Sequence, residues 1–303
     1  MEQASREFAY AAERVVVTPR GRVEYAEHGE GPAVLSLHGI MGGHDQSQLL
    51  ARAVAKSGFR FISVSRPGYL GTPLKSGRTP EEQADLLAAL LDVLQIDRAA
   101  VAAVSGGGPA AVQFALRHPD RCWALVMTSA CSARLSVPLP FAWYILRLSA
   151  RVPFLVTKMR EQGAKDPEAP ARRSIPDPEL RERTLRDPEA GPLLLALQAS
   201  TMDRLRLRIA GAENDVRQTR RDLVWPLERI AAPALAIHGT SDEVVPFEQS
   251  KALVARAPAA ELLAIEGGRH ASLFTHLAKI RSRVSGFLGT HAPRSADSGA
   301  AGD

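Results

Sequence analysis

Hydrophobic residues follow two alternating spacings between residues 15 and 130 of this 303-residue chain. Short apolar runs rich in β-branched residues predict strands, and longer stretches with apolar residues three and four positions apart predict helices. The predicted strands are 15–18, 23–26, 34–37, 59–64, 99–104 and 125–128. The predicted helices are 48–56, 81–94 and 109–118. Strands buried on both faces and separated by helices predict an α/β fold, with a mostly parallel central sheet and helices on both faces.

This alternation stops after Ser129 and resumes with strands at 234–238 and 261–265 and a last helix at 271–288. The roughly one hundred residues between are helical in pattern, and such long excursions often cover a site. We therefore expect an inserted helical cap, the alternative being a second helical layer without a functional role. The predicted division is core 1–130, cap 131–222, core 223–290 and a disordered tail 291–303.

The composition is that of an ordinary globular protein. Apolar residues make up 45% of the chain and charged residues 23%, which excludes wholesale disorder, a collagen-like chain and a disulfide-dense scaffold. The spacing of Cys122 and Cys131 matches no zinc or redox motif, so buried reduced thiols are expected.

The net charge of +5 is a weak indication of an anionic partner. Arginines alternate with acidic residues, as in 179–183, which favours a solvated surface of mixed charge over nucleic-acid binding. Residues 1–12 lack the apolar core of a signal peptide, and the longest strongly apolar stretch, 137–146, is half a membrane span with two prolines. We expect a cytoplasmic protein that binds neither nucleic acid nor membrane.

The most informative segment joins the predicted strand 99–104 to the helix that follows it. It reads Ala-Val-Ser-Gly-Gly-Gly-Pro and places Ser105 at the junction. A nucleophile on a sharp strand-to-helix turn needs small residues two positions before and after it, and Ala103 and Gly107 meet that requirement. The positive end of the helix would stabilise an anion formed beside Ser105.

This turn resembles the nucleophile elbow of the α/β-hydrolase-fold enzymes, with Ala103 in place of the usual first glycine. The segment 37–43 similarly resembles the family's His-Gly loop. The resemblance implies that the backbone N–H groups of Ile40 and Gly106 form the oxyanion hole, which stabilises negative charge on a substrate carbonyl oxygen.

A serine hydroxyl also needs a histidine base that is oriented by a carboxylate, and the family order is Ser, acid, His. The segment 237–246 resembles the family's acid loop and implies Asp242 as the acid. The segment 266–270 resembles its histidine loop and implies His270 as the base. The neighbouring Glu243 is expected to point away because it is offset by one residue.

The substrate pocket is less well defined. Residues 141–148 are apolar nearly all round, so we expect a helix buried on two sides that roofs the pocket, or one that simply packs on the core. Met41, His44 and Trp143 are the candidate substrate contacts. The apolar stretches 141–148 and 193–197 suggest a small, mainly apolar and uncharged substrate.

The resemblance predicts a serine hydrolase that cleaves a carboxylic ester, a thioester or a lactone through an acyl-enzyme. A C–C bond hydrolase, a lyase or a perhydrolase with the same triad, and a ligand receptor gated by its cap, remain alternatives because fold and triad do not separate them. No metal-ligand spacing or phosphate loop occurs, so neither a metal nor another cofactor is expected. The oligomeric state is open.

Overall fold

An eight-stranded, mostly parallel β-sheet forms the centre of the protein. The computed structural model describes residues 10–139, 141–222 and 224–293. The strands are β1 (Glu13–Thr18), β2 (Gly21–His28), β3 (Ala33–Leu37), β4 (Arg60–Val64), β5 (Ala99–Val104), β6 (Cys122–Thr128), β7 (Ala234–Gly239) and β8 (Ala260–Ile265). Their order across the sheet is β1-β2-β4-β3-β5-β6-β7-β8. β1, β2 and β4 pair antiparallel, and the sheet is parallel from β4 to β8.

Helices cover both faces of the sheet. In chain order they are α1 (His44–Val54), α2 (Pro80–Val93), α3 (Gly108–Arg117), α4 (Phe141–Ser149), α5 (Pro153–Lys165), α6 (Ala169–Ser174), α7 (Pro178–Arg186), α8 (Ala190–Met202), α9 (Ile209–Thr219), α10 (Glu248–Arg256), α11 (Ser272–Thr275) and α12 (Leu277–His291). One apolar cluster contains residues of α2, α3 and α10, and another contains residues of α1 and α12. The two clusters lie on opposite faces of the sheet, because neighbouring strand residues such as Leu35, in the first, and Val34, in the second, point to opposite faces. The predicted α/β fold class is confirmed.

Helices α4 to α9 lie between β6 and β7, where the strand pattern predicted an interruption. The second half of this inserted segment is joined to the core. Ala190, Leu193 and Leu194 of α8 belong to the same buried cluster as α1 and α12. This half therefore takes part in the core packing, and the division into core and cap at residues 131 and 222 stays a prediction.

The chain remains ordered beyond the point where the tail was expected to begin. His291 is the last residue of α12, and the centre of its ring lies 4.8 Å from that of Phe287. The prediction that a disordered tail starts at residue 291 is therefore wrong for His291, which is helical. Residues 294–303 lie outside the described part of the chain.

The expectation that α4 is buried on two sides is wrong. Phe141 is 77% exposed and Leu148 64%, and Tyr144 and Ile145 are also exposed. These four positions share one face of the helix because they are three and four residues apart. The opposite face, which carries Trp143, packs against the apolar cluster with Met41 and Tyr69.

Both cysteines are free and buried, as expected from their spacing. Burial raises the pKa of the Cys122 and Cys131 thiols to about 12. Among the described residues, no three His, Cys, Asp or Glu side chains form a group that could hold a metal ion. In the same part of the chain, every helix is too short or too polar to cross a membrane.

A side chain at Gly108 should destabilise the fold. A Cβ atom there would overlap the carbonyl oxygen of Cys131, which is backbone and can move only with its whole segment. We expect Gly108→Ala to lower the free energy of unfolding by about 1–3 kcal/mol, measured by urea denaturation.

Gly286→Ala in α12 is the matched control, because a Cβ atom at Gly286 meets nothing within 4 Å. This change should raise the free energy of unfolding by up to about 1 kcal/mol, since alanine favours a helix more than glycine does. Equal effects of the two substitutions would contradict the close approach at Gly108.

Candidate active site

Ser105 occupies a sharp turn between β5 and α3. β5 ends at Val104, a single 3₁₀ turn spans Ser105–Gly107, and α3 begins at Gly108. The φ angle of Ser105 is +50°, a value that is uncommon for a residue with a side chain. Such backbone strain is frequently found at functional sites. The turn has the shape that the resemblance to a nucleophile elbow implies.

The structure brings Ser105, His270 and Asp242 together at the carboxyl ends of β5, β8 and β7, where sites commonly form in open α/β sheets. His270 Nε2 lies 3.1 Å from Ser105 Oγ, and His270 Nδ1 lies 2.8 Å from Asp242 Oδ2. An ionised carboxylate only accepts hydrogen bonds, so Nδ1–H donates to Asp242 and Nε2 accepts from the serine hydroxyl. Glu243 points elsewhere and pairs with Arg269 at the surface, 3.0 Å apart.

Asp242 is held in its ionised form. Burial alone would raise the pKa of its carboxyl, but hydrogen bonds from His238, His270 and the Val245 backbone outweigh burial and keep this pKa well below its usual value. The backbone N–H groups of Val244 and Val245 donate to Oδ1 at 2.9 and 3.0 Å. The carboxylate therefore has partners on both oxygens and can orient the imidazole.

His238 supports this carboxylate and was missed by the sequence reasoning. Its Nε2 lies 2.8 Å from the Val245 carbonyl oxygen, which only accepts, so Nε2 carries the proton. Ser250 Oγ lies 2.7 Å from Nδ1 and therefore donates to it. The protonated Nε2 is also 3.3 Å from Asp242 Oδ2. The sequence feature that could have identified His238 is its position four residues before Asp242 in the acid loop.

The two expected oxyanion donors, Ile40 and Gly106, lie side by side next to the nucleophile. A Cβ atom on Gly106 would stand 3.3 Å from Ile40 N and 2.7 Å from Ile40 Cγ1. The segment 37–43, which we call the oxyanion loop, thus adjoins the elbow at this point. The carbonyl of Ser105, in the same peptide unit as the Gly106 N–H, accepts a 2.9 Å hydrogen bond from the Cys131 N–H.

A buried arginine holds the other side of the oxyanion loop. Arg66 Nε donates to the His38 carbonyl oxygen at 2.9 Å, and Nη2 donates to the Gly39 carbonyl oxygen at 3.2 Å. Asp215 of α9 binds the same guanidinium through both oxygens, at 3.0 and 2.5 Å. Tyr69 also donates to Asp215, at 2.6 Å. Burial would lower the pKa of Arg66, but Asp215 and Tyr69 outweigh it and raise this pKa above its usual value.

A second buried pair contacts the same loop at Met41. Arg208, which immediately precedes α9, binds Asp45 in the first turn of α1 at 3.2 and 2.5 Å. The same guanidinium lies 3.5 Å from the Met41 carbonyl oxygen. Sequence reasoning did not single out Arg208, Asp45 or Asp215.

Two of the three candidate substrate contacts share an apolar cluster beside this loop. Met41 and Tyr69 are buried in it, and Ile40 and Trp143 are partly buried against it. The cluster joins the oxyanion loop to the inner face of α4. It offers apolar contact area next to the expected oxyanion donors.

The third candidate, His44, does not fit the role expected of it. Its ring is buried, with Nδ1 3.4 Å from Gln48 Nε2 and Nε2 3.9 Å from Glu24 Oε2. Burial lowers the pKa of His44 despite the nearby Glu24 carboxylate, so the ring is neutral at pH 7. The expectation that His44 faces the substrate is wrong, because the ring is enclosed between α1 and β2.

The sequence pattern of the family described as alpha/beta hydrolase fold matches residues 32–277. The chain belongs to this family. It shares 35% identity and a TM-score of 0.81 with the structure of an alpha/beta hydrolase fold protein from Nakamurella multipartita, over 91% of this chain and 99% of that one.

Two curated relatives have more specific names. A pimeloyl-[acyl-carrier protein] methyl ester esterase from Aromatoleum aromaticum is 30% identical, over 73% of this chain and 84% of that protein. A 2-hydroxy-6-oxononadienedioate/2-hydroxy-6-oxononatrienedioate hydrolase from Burkholderia vietnamiensis is 27% identical, over 88% and 91%. The chain is therefore an enzyme of a family whose members include hydrolases and esterases.

Asp242→Asn should change the way in which the free energy of unfolding depends on pH, because the asparagine side chain cannot ionise. The folded-state pKa of Asp242 lies below the unfolded value of about 3.9, so its stabilising contribution is present above that value and is lost as pH falls toward the folded pKa. The difference in free energy of unfolding between wild type and variant, measured by urea denaturation from pH 2 to pH 7, should shrink below about pH 4. A difference that is constant with pH would contradict an ionised, hydrogen-bonded Asp242.

Proposed function

We propose that this protein is a serine hydrolase that cleaves a carboxylic ester, or a thioester or lactone, of a small and mainly apolar molecule. The observation that carries the proposal is the hydrogen-bonded series of Ser105, His270 and Asp242. Gly106 of the Ser105 turn lies next to Ile40 of the oxyanion loop, which supports their backbone N–H groups as the pair that binds the oxyanion.

In the proposed mechanism, Ser105 Oγ attacks the substrate carbonyl carbon while His270 Nε2 takes the hydroxyl proton. The backbone N–H groups of Ile40 and Gly106 bind the oxygen that becomes negative, and Asp242 stabilises the imidazolium. His270 then returns the proton to the leaving alcohol or thiol, and the acyl group stays on Ser105. Water attacks this acyl-enzyme by the same route and releases the acid.

An uncharged acyl group is supported by the charges around the oxyanion loop. The guanidinium groups that contact its carbonyl oxygens, Arg66 and Arg208, are each bound by a carboxylate through both nitrogens. Neither is available to a carboxylate on the substrate, and a buried charge without a partner is costly. The apolar cluster with Met41 and Trp143 favours an apolar acyl or alcohol group instead.

C–C bond hydrolysis is the second candidate, because the Burkholderia vietnamiensis relative bears the name of such an enzyme. The substrate in that name is a dioate, which carries two carboxylates. The engaged arginines of this chain therefore favour a neutral ester over that particular substrate. Lyase, perhydrolase and ligand-receptor roles are separated from hydrolysis by identifying the products of turnover.

We also propose a cytoplasmic setting, which is supported by the two free and buried thiols of Cys122 and Cys131. Reduced cysteines are typical of reducing compartments. The proposed partner is a small-molecule substrate.

Ser105→Ala should lower kcat for p-nitrophenyl ester hydrolysis by roughly 10⁶-fold, since the nucleophile of a triad is lost. Circular dichroism and Tm should stay close to wild type, and a fluorophosphonate probe should label wild type at Ser105 and leave the variant unlabelled. Substantial ester turnover by the variant would overturn the assignment.

Acyl charge is tested with two substrates of equal chain length, p-nitrophenyl pentanoate and the p-nitrophenyl monoester of glutaric acid. We expect kcat/KM for the neutral ester to be at least about tenfold higher, because a carboxylate would lose water without gaining a cation. Equal or faster cleavage of the monoester would contradict the proposed neutral substrate and favour a dicarboxylate such as the C–C hydrolase substrate.

A further inference from the structure

The oxyanion donor at Ile40 belongs to a peptide unit whose other end is anchored. The carbonyl of Gly39 and the N–H of Ile40 lie in one rigid plane and point in opposite directions. Whatever fixes the direction of the Gly39 oxygen therefore fixes the direction of the Ile40 N–H. Arg66 Nη2 donates to this oxygen at 3.2 Å, and His38 Nδ1 lies 2.6 Å from it.

His38 is a donor in this arrangement. The backbone N–H of Arg66 donates to His38 Nε2 at 3.0 Å, so the ring proton sits on Nδ1 and points at the Gly39 oxygen. Burial, followed by the nearby Arg66, keeps the pKa of His38 well below its usual value. The neutral imidazole and the charged guanidinium together hold the carbonyl end of the peptide unit.

The anchoring arginine depends on a carboxylate from the inserted segment. Arg66 is 2% exposed and Asp215, its counter-ion in α9, is 3% exposed. A guanidinium that is removed from water needs an equally buried partner, and a buried charge left alone forces the side chain or its surroundings to rearrange. The rearrangement would act directly on the Gly39 oxygen, because the nitrogen that binds it, Nη2, also binds Asp215.

We propose that Asp215 is a positioning residue of the oxyanion hole, acting through Arg66 on the Gly39–Ile40 peptide unit. This inference rests on the proposed hydrolase function, since the Ile40 N–H matters only where an oxyanion forms. Asp215 of the inserted segment would thus contribute to the chemical step without touching the substrate. The pair of Arg208 with Asp45 reinforces the same link at the Met41 carbonyl.

The first test compares Asp215→Asn with Glu213→Gln. Both variants remove one negative charge from α9, but Glu213 pairs with Arg147 of α4 and not with Arg66. Values of kcat are expressed per active Ser105, counted by titration with a fluorophosphonate, so that misfolded protein does not lower them. KM and Tm are measured alongside.

We expect Asp215→Asn to lower kcat per active site by about 10- to 100-fold, because loss of a whole oxyanion donor costs about 10²–10³-fold. Its KM should stay within about threefold, since the interaction strengthens only in the transition state. Glu213→Gln should stay within about twofold in both values. A purely structural role for Asp215 would reduce Tm and the number of active sites and leave kcat per site unchanged, which would overturn the proposal.

The second test removes the charge pair without leaving a buried charge, in Arg66→Met/Asp215→Leu. Replacing both members of a buried ion pair by apolar residues is often neutral or stabilising, so this variant should fold even if Asp215→Asn does not. We expect its Tm to fall below wild type, because the buried Tyr69 hydroxyl and the two loop carbonyl oxygens lose partners, while kcat per active site falls at least about tenfold. Wild-type kcat in this folded variant would overturn the proposal.

A transition-state analogue provides an independent measurement. A trifluoromethyl ketone adds to Ser105 and places a negative oxygen in the hole, so its affinity should fall in each variant by the same factor as kcat/KM. Unchanged affinity for the analogue in Asp215→Asn would also overturn the proposal.

Failure of the proposed hydrolase function can be distinguished from failure of the proposed role of Asp215. In that case wild type hydrolyses none of the esters, thioesters or lactones and yet labels at Ser105. The labelling rate then still tests the inference, because phosphonylation also builds negative charge on an oxygen beside the nucleophile. It should be slower in Asp215→Asn and unchanged in Glu213→Gln.

Discussion

The guanidinium of Arg66 is almost completely removed from water, and that constraint shapes the centre of this enzyme. Its donors end on two carbonyl oxygens of the oxyanion loop and on Asp215. The charge can be kept there only while α9 presents its carboxylate at the same place. The end of β4, the oxyanion loop and the inserted segment are consequently fixed relative to one another by one set of hydrogen bonds.

His270 and Asp242, the proposed base and acid, are likewise held in place by neighbouring groups. Asp242 uses one oxygen for the backbone N–H groups of Val244 and Val245 and the other for His270, with His238 close by. Each group that would take part in chemistry is thus oriented by a partner that would not. Such preorganisation lets the site stabilise charge without rearranging during the reaction.

The sequence was informative where local pattern decides the structure, and less so where distant charges meet. The strands follow from the spacing of apolar residues. The elbow at Ser105 and the loops that carry Asp242 and His270 were predicted from short segments that resemble motifs of the family. Arg66 and Asp215 are 149 positions apart, and no local pattern in the sequence pairs them. His44 and α4 were misjudged for a related reason. Polarity predicts burial only on average, and the packing of neighbouring elements decides which face of a loop or helix is covered.

The inserted segment also has a consequence for the order in which the site is assembled. The hydrogen bond from Ser105 to His270 joins residues 165 positions apart, and the whole inserted segment is synthesised between them. Closing so long a loop is entropically costly and slow compared with forming the local strand–helix turns. A growing chain therefore carries the proposed nucleophile, Ser105, well before the proposed base, His270, is synthesised. The proposed triad is complete only when the last strand of the sheet has joined its neighbour, so on this proposal the chain cannot hydrolyse a substrate during most of its synthesis.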